Sequence, residues 1–381
     1  MHDRTGVADT LVWPHVVRPQ AALVYLDLNH FINLAKAGVG QNTPPGYTVL
    51  LDAVRRAVGS RRAHFPLSAE HLIELSMVKD PRQRRDVAHI MEELSDFFYL
   101  LGRPELGELE IHAGIHARQS EAPMGLPLEL VGKGFGRALG IAGRLRIVDS
   151  DGNDASGSAK RSMGAESFEA LMTSSNTAME RMMLAGPEDS EIAELRSNGY
   201  APELAQDAHK SRLGFEHDLS AKLALDGRWR RGRLRDVVAG REVHHEWLDA
   251  FNRQYSLIGR KQLAVGDETV LGVFCAAPHI QVAISLKTVM HRDANHRWSV
   301  NDITDIDAAS VAFAYCDALY TDKAVRNRLT SSTELRRFRT FLPREPHELA
   351  EWLDELPERP GHELLVPVST GATTPTQRRP R

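Results

Sequence analysis

The chain has 381 residues, 42% hydrophobic and 26% charged, with a formal net charge of −4. That balance is ordinary for a globular protein and excludes a polycationic chain, so contact with nucleic acid must come from local basic patches. No run reaches the roughly 18 apolar residues of a membrane span, and the polar start Met1-His2-Asp3-Arg4-Thr5 lacks a signal-peptide core. The two cysteines, Cys275 and Cys316, sit in apolar stretches and read as buried small hydrophobes, which with the other features predicts a cytoplasmic location.

Residues 1–20 read as a leader or short edge element. Leu23-Val24-Tyr25-Leu26-Asp27 is a continuous apolar run stopping on an acid, the pattern of a strand buried on both faces. Asn29 to Ala37 and Val49 to Val58 show helical spacing, with a Pro/Gly loop at 38–47 between them. Arg61 to Leu67 reads as a second strand, Ser68 as the N-cap of a helix from Ala69, and Arg82 to Tyr99 as a further helix. Gly132, Gly134, Gly136, Gly140 and Gly143 resemble a phosphate loop only superficially, because no clear strand precedes them. Asp149 to Ser162 reads as polar and mobile, and residues 164–264 as helical. Met172, Met179, Met182 and Met183 within that stretch read as core filler. Helices follow over 278–292 and 301–316, then the run Ala318-Leu319-Tyr320-Thr321-Asp322, then a basic helix over 323–338.

Alternating elements of this kind predict the α/β class, in a three-layer, Rossmann-like arrangement around a central parallel sheet. The core takes residues 20–105 and 278–356, residues 106–277 form a mostly helical insertion, and residues 357–381 read as a disordered tail.

In such sheets the carboxyl ends of the strands open onto the ligand crevice. Asp27 and Asp322 would share that rim although ~295 residues separate them. Glu74, on the helix leaving the second strand, and Asp305, opening a late helix, would join them; Asp302 and Asp307 compete with Asp305. Asp317, at the start of the last strand, is a further candidate ligand. Carboxylates gathered at one point call for a hard cation, Mg²⁺ or Mn²⁺, which suits phosphodiester hydrolysis by an activated water. Asn29 and Thr321 are polar neighbours, and Glu70 and His71 either support the site or cap their helix.

With these residues assembled, the chain resembles the PIN-like nuclease superfamily. The resemblance runs through Val24-Tyr25-Leu26-Asp27-Leu28-Asn29, Phe65-Pro66-Leu67-Ser68 with Leu72-Ile73-Glu74-Leu75, Asn301-Asp302-Ile303-Thr304-Asp305, and Tyr315 to Lys323. It implies a metal-dependent nuclease, most often acting on RNA, with Asp27, Glu74, Asp305 and Asp322 as catalytic metal ligands and Asp317 as an additional one. It also implies a toxin–antitoxin or defence setting with an inhibitory protein partner. Residues 107–277 match nothing in that pattern.

Arg228-Trp229-Arg230-Arg231-Gly232-Arg233-Leu234-Arg235 sets five arginines beside an indole, a composition suited to phosphates and bases, and equally that of a solvated helix face. Arg326, with Arg328, Arg336, Arg337 and Arg339, is placed to line an entry path. His244-His245-Glu246 and His291 with His296 lack the partners and spacing of a zinc site. Two other readings remain. One is a phosphatase of the haloacid dehalogenase type with Asp27 as nucleophile, for which position 29 should be Asp but is Asn. The other is a non-catalytic RNA- or protein-binding module.

Overall fold

The computed structural model describes residues 10–119, 127–141, 145–188, 190–201, 203–264, 266–357 and 366–367. The strands are β1 (Val16–Arg18), β2 (Ala22–Leu26), β3 (Ala63–His64), β4 (Phe98–Leu100), β5 (Leu128–Glu129), β6 (Val131–Lys133), β7 (Ala318–Tyr320) and β8 (Val366–Pro367). The first helices are α1 (Leu28–Gly38), α2 (Tyr47–Gly59), α3 (Ala69–Ser76), α4 (Pro81–Ser95) and α5 (Arg103–Arg118). The middle of the chain holds α6 (Ser156–Met163), α7 (Ala165–Ala185), α8 (Ile192–Ser197), α9 (Glu203–Leu225), α10 (Leu234–Glu242), a π turn at Val243–Trp247, α11 (Leu248–Leu257) and α12 (Glu268–Ala276). The last are α13 (Pro278–Arg292), α14 (Val300–Tyr315), α15 (Lys323–Ser331) and α16 (Pro346–Asp354). The protein is mostly helical around a small parallel sheet.

That sheet has the order β3-β2-β7. Every residue of β2 is buried. Its ladder to β7 pairs Val24 with Ala318, Tyr25 with Leu319 and Leu26 with Tyr320, all parallel. Its ladder to β3 pairs only Ala22 with Ala63 and Leu23 with His64. Pro66, which has no N–H to donate, ends the pairing soon after. Successive side chains of a strand point to opposite faces. Here Ala22, Val24, Leu26, Ala318 and Tyr320 join a core with α1, α2, α3, α4 and α16. Leu23, Tyr25 and Leu319 join a second core with α13, α14 and α15. A third core forms between α5, α9, α10, α11, α12 and α13.

Several expectations need correction. The helix expected to run to Tyr99 stops at Ser95, because Asp96 and Phe97 adopt left-handed backbone (φ 49° and 55°) and turn the chain into β4. The basic helix stops at Ser331 and continues only as a 3₁₀ turn over Thr333–Arg337. The polar stretch before residue 162 contains α6. The methionines are not core filler: α7 buries only Phe168, Glu180 and Leu184, and leaves Met182 and Met183 47% and 38% exposed. Cys316 is buried, but Cys275 is exposed.

The expected insertion boundary at residue 106 falls inside α5, and β6 returns to pair antiparallel with β4. The middle of the chain is therefore not one block. The expected tail lies outside the described residues except for residue 357 and Val366–Pro367, which pair antiparallel with β1. Among the described residues, no single helix is long and apolar enough to cross a membrane. α12 and α13 pass that test only as a pair bent by 92°.

Candidate metal centre

Asp27 directly follows β2 as the N-cap of α1. Its amide donates to the Tyr320 carbonyl at 3.0 Å, carrying the ladder one step beyond β7. Asp322 is the N-cap of α15, and its carboxylate accepts from the Val325 amide at 2.7 Å. Parallel pairing thus sets both acids at the same end of the sheet. Glu74 lies in the second turn of α3, the helix that starts just after Leu67 bonds to β4. Asp305 lies in the second turn of α14.

Asp27, Glu74 and Asp305 line one cleft with Tyr25, Thr304, Ala308, Ala309, Leu319 and Thr321. The cleft measures about 270 Å³, its open mouth included, and its walled part has room for about one water. Tyr25 could have been read from sequence as a wall residue, since it lies two positions before Asp27 on the same strand face.

The carboxyl groups sense one another. Burial and the neighbouring Asp322 push Asp27 up to about 6, while hydrogen bonds from Leu28, Thr321 and Asp322 pull the other way. Burial, then Asp27, Asp305 and Glu70, push Glu74 up to about 9. Burial, then Asp27, Asp322 and Asp302, push Asp305 up to about 7, against a pull from Arg328. No basic side chain among the described residues lines the cleft, a setting that suits a hard cation. The donors are all oxygens, the type that Mg²⁺ and Mn²⁺ take. Among the described residues, no three His, Cys, Asp or Glu side chains already stand in ligand geometry.

The three aspartates of α14 separate by helix phase. Asp302 accepts from the Ser299 amide at 2.8 Å and the Ser299 hydroxyl at 2.9 Å in a capping box, with Arg328 at 3.6 Å. Asp307, about 200° around the helix from Asp305, faces Arg212 and Arg103 on the far side. Only Asp305 faces the cleft.

Asp317 does not join the group. It precedes β7 whereas Asp322 follows its end, so it sits at the opposite end of the strand, about 17 Å away at ~3.3 Å per residue. There it accepts from Arg18 and from the Leu23 amide, both at 2.8 Å. Asp317→Ala is expected to lower stability by ~1–2 kcal/mol in chemical denaturation and to leave cation binding unchanged. A loss of Mn²⁺ affinity in that variant would return it to the site.

Thr321 is buried, with its hydroxyl on the Asp27 carboxylate. Asn29 is exposed and outside the cleft wall. The arginine segment is largely engaged elsewhere. Arg228 bonds Asp226 at 2.8 Å, Arg233 bonds Asp236 at 3.2 Å, and Arg230 reaches the His291 carbonyl. Trp229 is 44% exposed and Arg231 is exposed. Arg326 approaches the Asn327 side chain at 3.4 Å, on the helix that Asp322 caps.

No family model, no curated protein and no solved structure matches this chain.

Proposed function

We propose that the chain is a cytoplasmic metal-dependent endoribonuclease with a three-layer, PIN-like core, in which Asp27, Glu74, Asp305 and Asp322 hold Mg²⁺ or Mn²⁺. The observation that carries this reading is the convergence of Asp27, Glu74 and Asp305 in one cleft short of positive charge, with Asp322 close enough to raise two of them. The packing of helices against both faces of β2 supports the layered core. When bound, the cation supplies a lowered water pKa and charge neutralisation at the scissile phosphate.

The chain's own residues prepare that site. The Thr321 hydroxyl and the Leu28 amide orient Asp27. The Val325 amide fixes Asp322, and the Ser299–Asp302 box fixes the first turn of α14. Burial, together with Asp27, Asp305 and Glu70, favours the protonated form of the Glu74 carboxyl at neutral pH. Arg326 with Lys323 and Arg328 on α15, and Trp229 with Arg231, offer cationic and stacking contacts to RNA. An inhibitory protein partner, in a toxin–antitoxin or defence setting, belongs to the same proposal. The haloacid dehalogenase reading is weaker, since position 29 is an exposed Asn outside the cleft wall.

Glu74→Gln separates this reading from a binding module whose acids are structural. Glu74 is desolvated and repelled, so the metal-free variant is expected to melt a few degrees higher than wild type. Mn²⁺ at 100 times its Kd should stabilise wild type by ~2.7 kcal/mol and the variant far less. A wild-type melting temperature unmoved by millimolar Mn²⁺ at pH 8 would sink the proposal.

A further inference from the structure

His71 is 0% exposed and sits three residues before Glu74 in α3. It occupies the N3 position of a capping box, where its Nδ1 accepts from the Ser68 amide at 3.0 Å. Glu or Gln ordinarily does that job with one end of its side chain. An imidazole has a second nitrogen on the far side of the ring. Here Nδ1 is occupied as an acceptor, so the neutral ring carries its proton on Nε2, and Nε2 donates to the Leu26 carbonyl at 2.7 Å. Leu26 immediately precedes Asp27. The β3 ladder has already ended at Leu23, and His71 takes the carbonyl instead.

The ring is held on its other sides too. It stacks on Tyr25, with centroids 4.8 Å apart at 21°, and Phe31 meets it edge-on at 5.4 Å and 88°. Tyr25 is itself a wall of the acid cleft, and its hydroxyl is paired with Ser68 Oγ at 2.9 Å. Capping α3 alone needs neither the second nitrogen nor the burial of an imidazole.

We propose that His71 is a positioning residue that bolts the strand end bearing Asp27 to the helix bearing Glu74, and so sets the spacing of two cation ligands. This rests on the metal-site reading above. Groups of this kind, which orient the ligands of a metal, typically change its affinity 10–100-fold when removed.

The two bonds can be cut separately in the full-length chain. In His71→Asn the amide oxygen can replace Nδ1 at the cap but cannot reach Leu26. In His71→Gln the amide nitrogen can replace Nε2 on Leu26, with a looser cap. Mn²⁺ binding, read by electron paramagnetic resonance of the free ion, is expected to weaken tenfold or more in His71→Asn and to stay within about threefold of wild type in His71→Gln. Circular dichroism of both variants should retain the helical signal. The opposite ranking, or unchanged affinity in His71→Asn, overturns the proposal. So does an imidazole ¹⁵N spectrum of the wild-type chain placing the His71 proton on Nδ1, a measurement independent of how any variant folds. Asp27→Asn serves as the reference. If wild type and Asp27→Asn bind Mn²⁺ equally weakly, the cation reading fails and this proposal falls with it. If wild type binds tightly and His71→Asn does too, only the role of His71 falls.

Discussion

Asp27→Asn is expected to reduce RNA cleavage in Mn²⁺ by on the order of 10³-fold or more in kcat/KM, about 4 kcal/mol of transition-state stabilisation, without unfolding the chain. Asp27 is the acid sensed by both Glu74 and Asp305, so it stands nearest the centre of the group. Asn keeps its size and one oxygen to accept from Thr321 or the Leu28 amide, but it has no charge to offer a cation. The same change relieves repulsion in the metal-free protein, so the variant should melt no lower than wild type. Full cleavage by Asp27→Asn with Mg²⁺ or Mn²⁺ supplied would refute the nuclease reading. Lost cleavage with lost helical signal would assign Asp27 a structural role instead.

The acid cleft also predicts how metal-free stability depends on pH. The folded-state pKa values of Asp27, Asp305 and Glu74 are raised, to about 6, 7 and 9. A raised carboxyl favours the folded state while it is protonated, and that contribution is lost as pH rises through the folded value. Stability from this cluster should therefore fall progressively between about pH 4 and 9. Added Mn²⁺ should restore it most at the alkaline end, with release of protons. Thermal melts across that range, with and without Mn²⁺, check the sign. A cation effect larger at pH 5 than at pH 8 would contradict it.

The acids at 27 and 322 were legible because each closes an apolar run, and a buried strand end exposes its next residue to the rim. Glu74 was legible from a helix that follows a strand directly. Choosing Asp305 over Asp302 and Asp307 required the phase of α14 against the sheet, which spacing alone does not supply. Asp317 was misplaced by treating both ends of β7 as one rim, although strand direction separates them. Composition left the arginine run open between a nucleic-acid patch and a solvated face, because it does not reveal intramolecular partners such as Asp226, Asp236 and the His291 carbonyl. The small parallel sheet followed from runs of apolar residues. The break at Asp96 and Phe97 did not, because two left-handed residues inside an otherwise helical pattern leave no periodic trace.

The least legible feature carries the largest stability prediction. Buried Arg241 and Lys287 and half-buried Arg103 and Arg212 pack against Glu216, Glu242, Glu246 and Asp307, brought together from α5, α9, α10, the π turn, α13 and α14. Lys287, 1% exposed, sits 2.5 Å from Glu242 and 3.0 Å from Glu216. Arg241 reaches the same two acids at 3.0 Å and 2.9 Å, and Arg103 packs over the Trp247 ring at 4.7 Å. Gly107 permits that approach, since a Cβ there would lie 2.0 Å from the indole.

Four cationic side chains face four acids, so removing one leaves the cluster with a net negative charge in a setting largely shut off from water. Lys287→Met keeps the volume and removes the charge, and is expected to lower unfolding free energy by ~3–5 kcal/mol. Lys287→Met with Glu242→Gln should recover part of the loss, because the double variant no longer buries an unpaired charge. Burial pushes Glu242 up, yet Lys287, Arg241 and Arg103 hold it down at about 2. Its contribution is present above the ordinary glutamate range and is lost as pH falls through that low value, opposite in sign to the acid cleft. Urea unfolding of the three proteins at pH 7 and pH 4 tests the idea. A single variant within 1 kcal/mol of wild type would mean that this network is solvated, and that α14 is held in place by its apolar face alone.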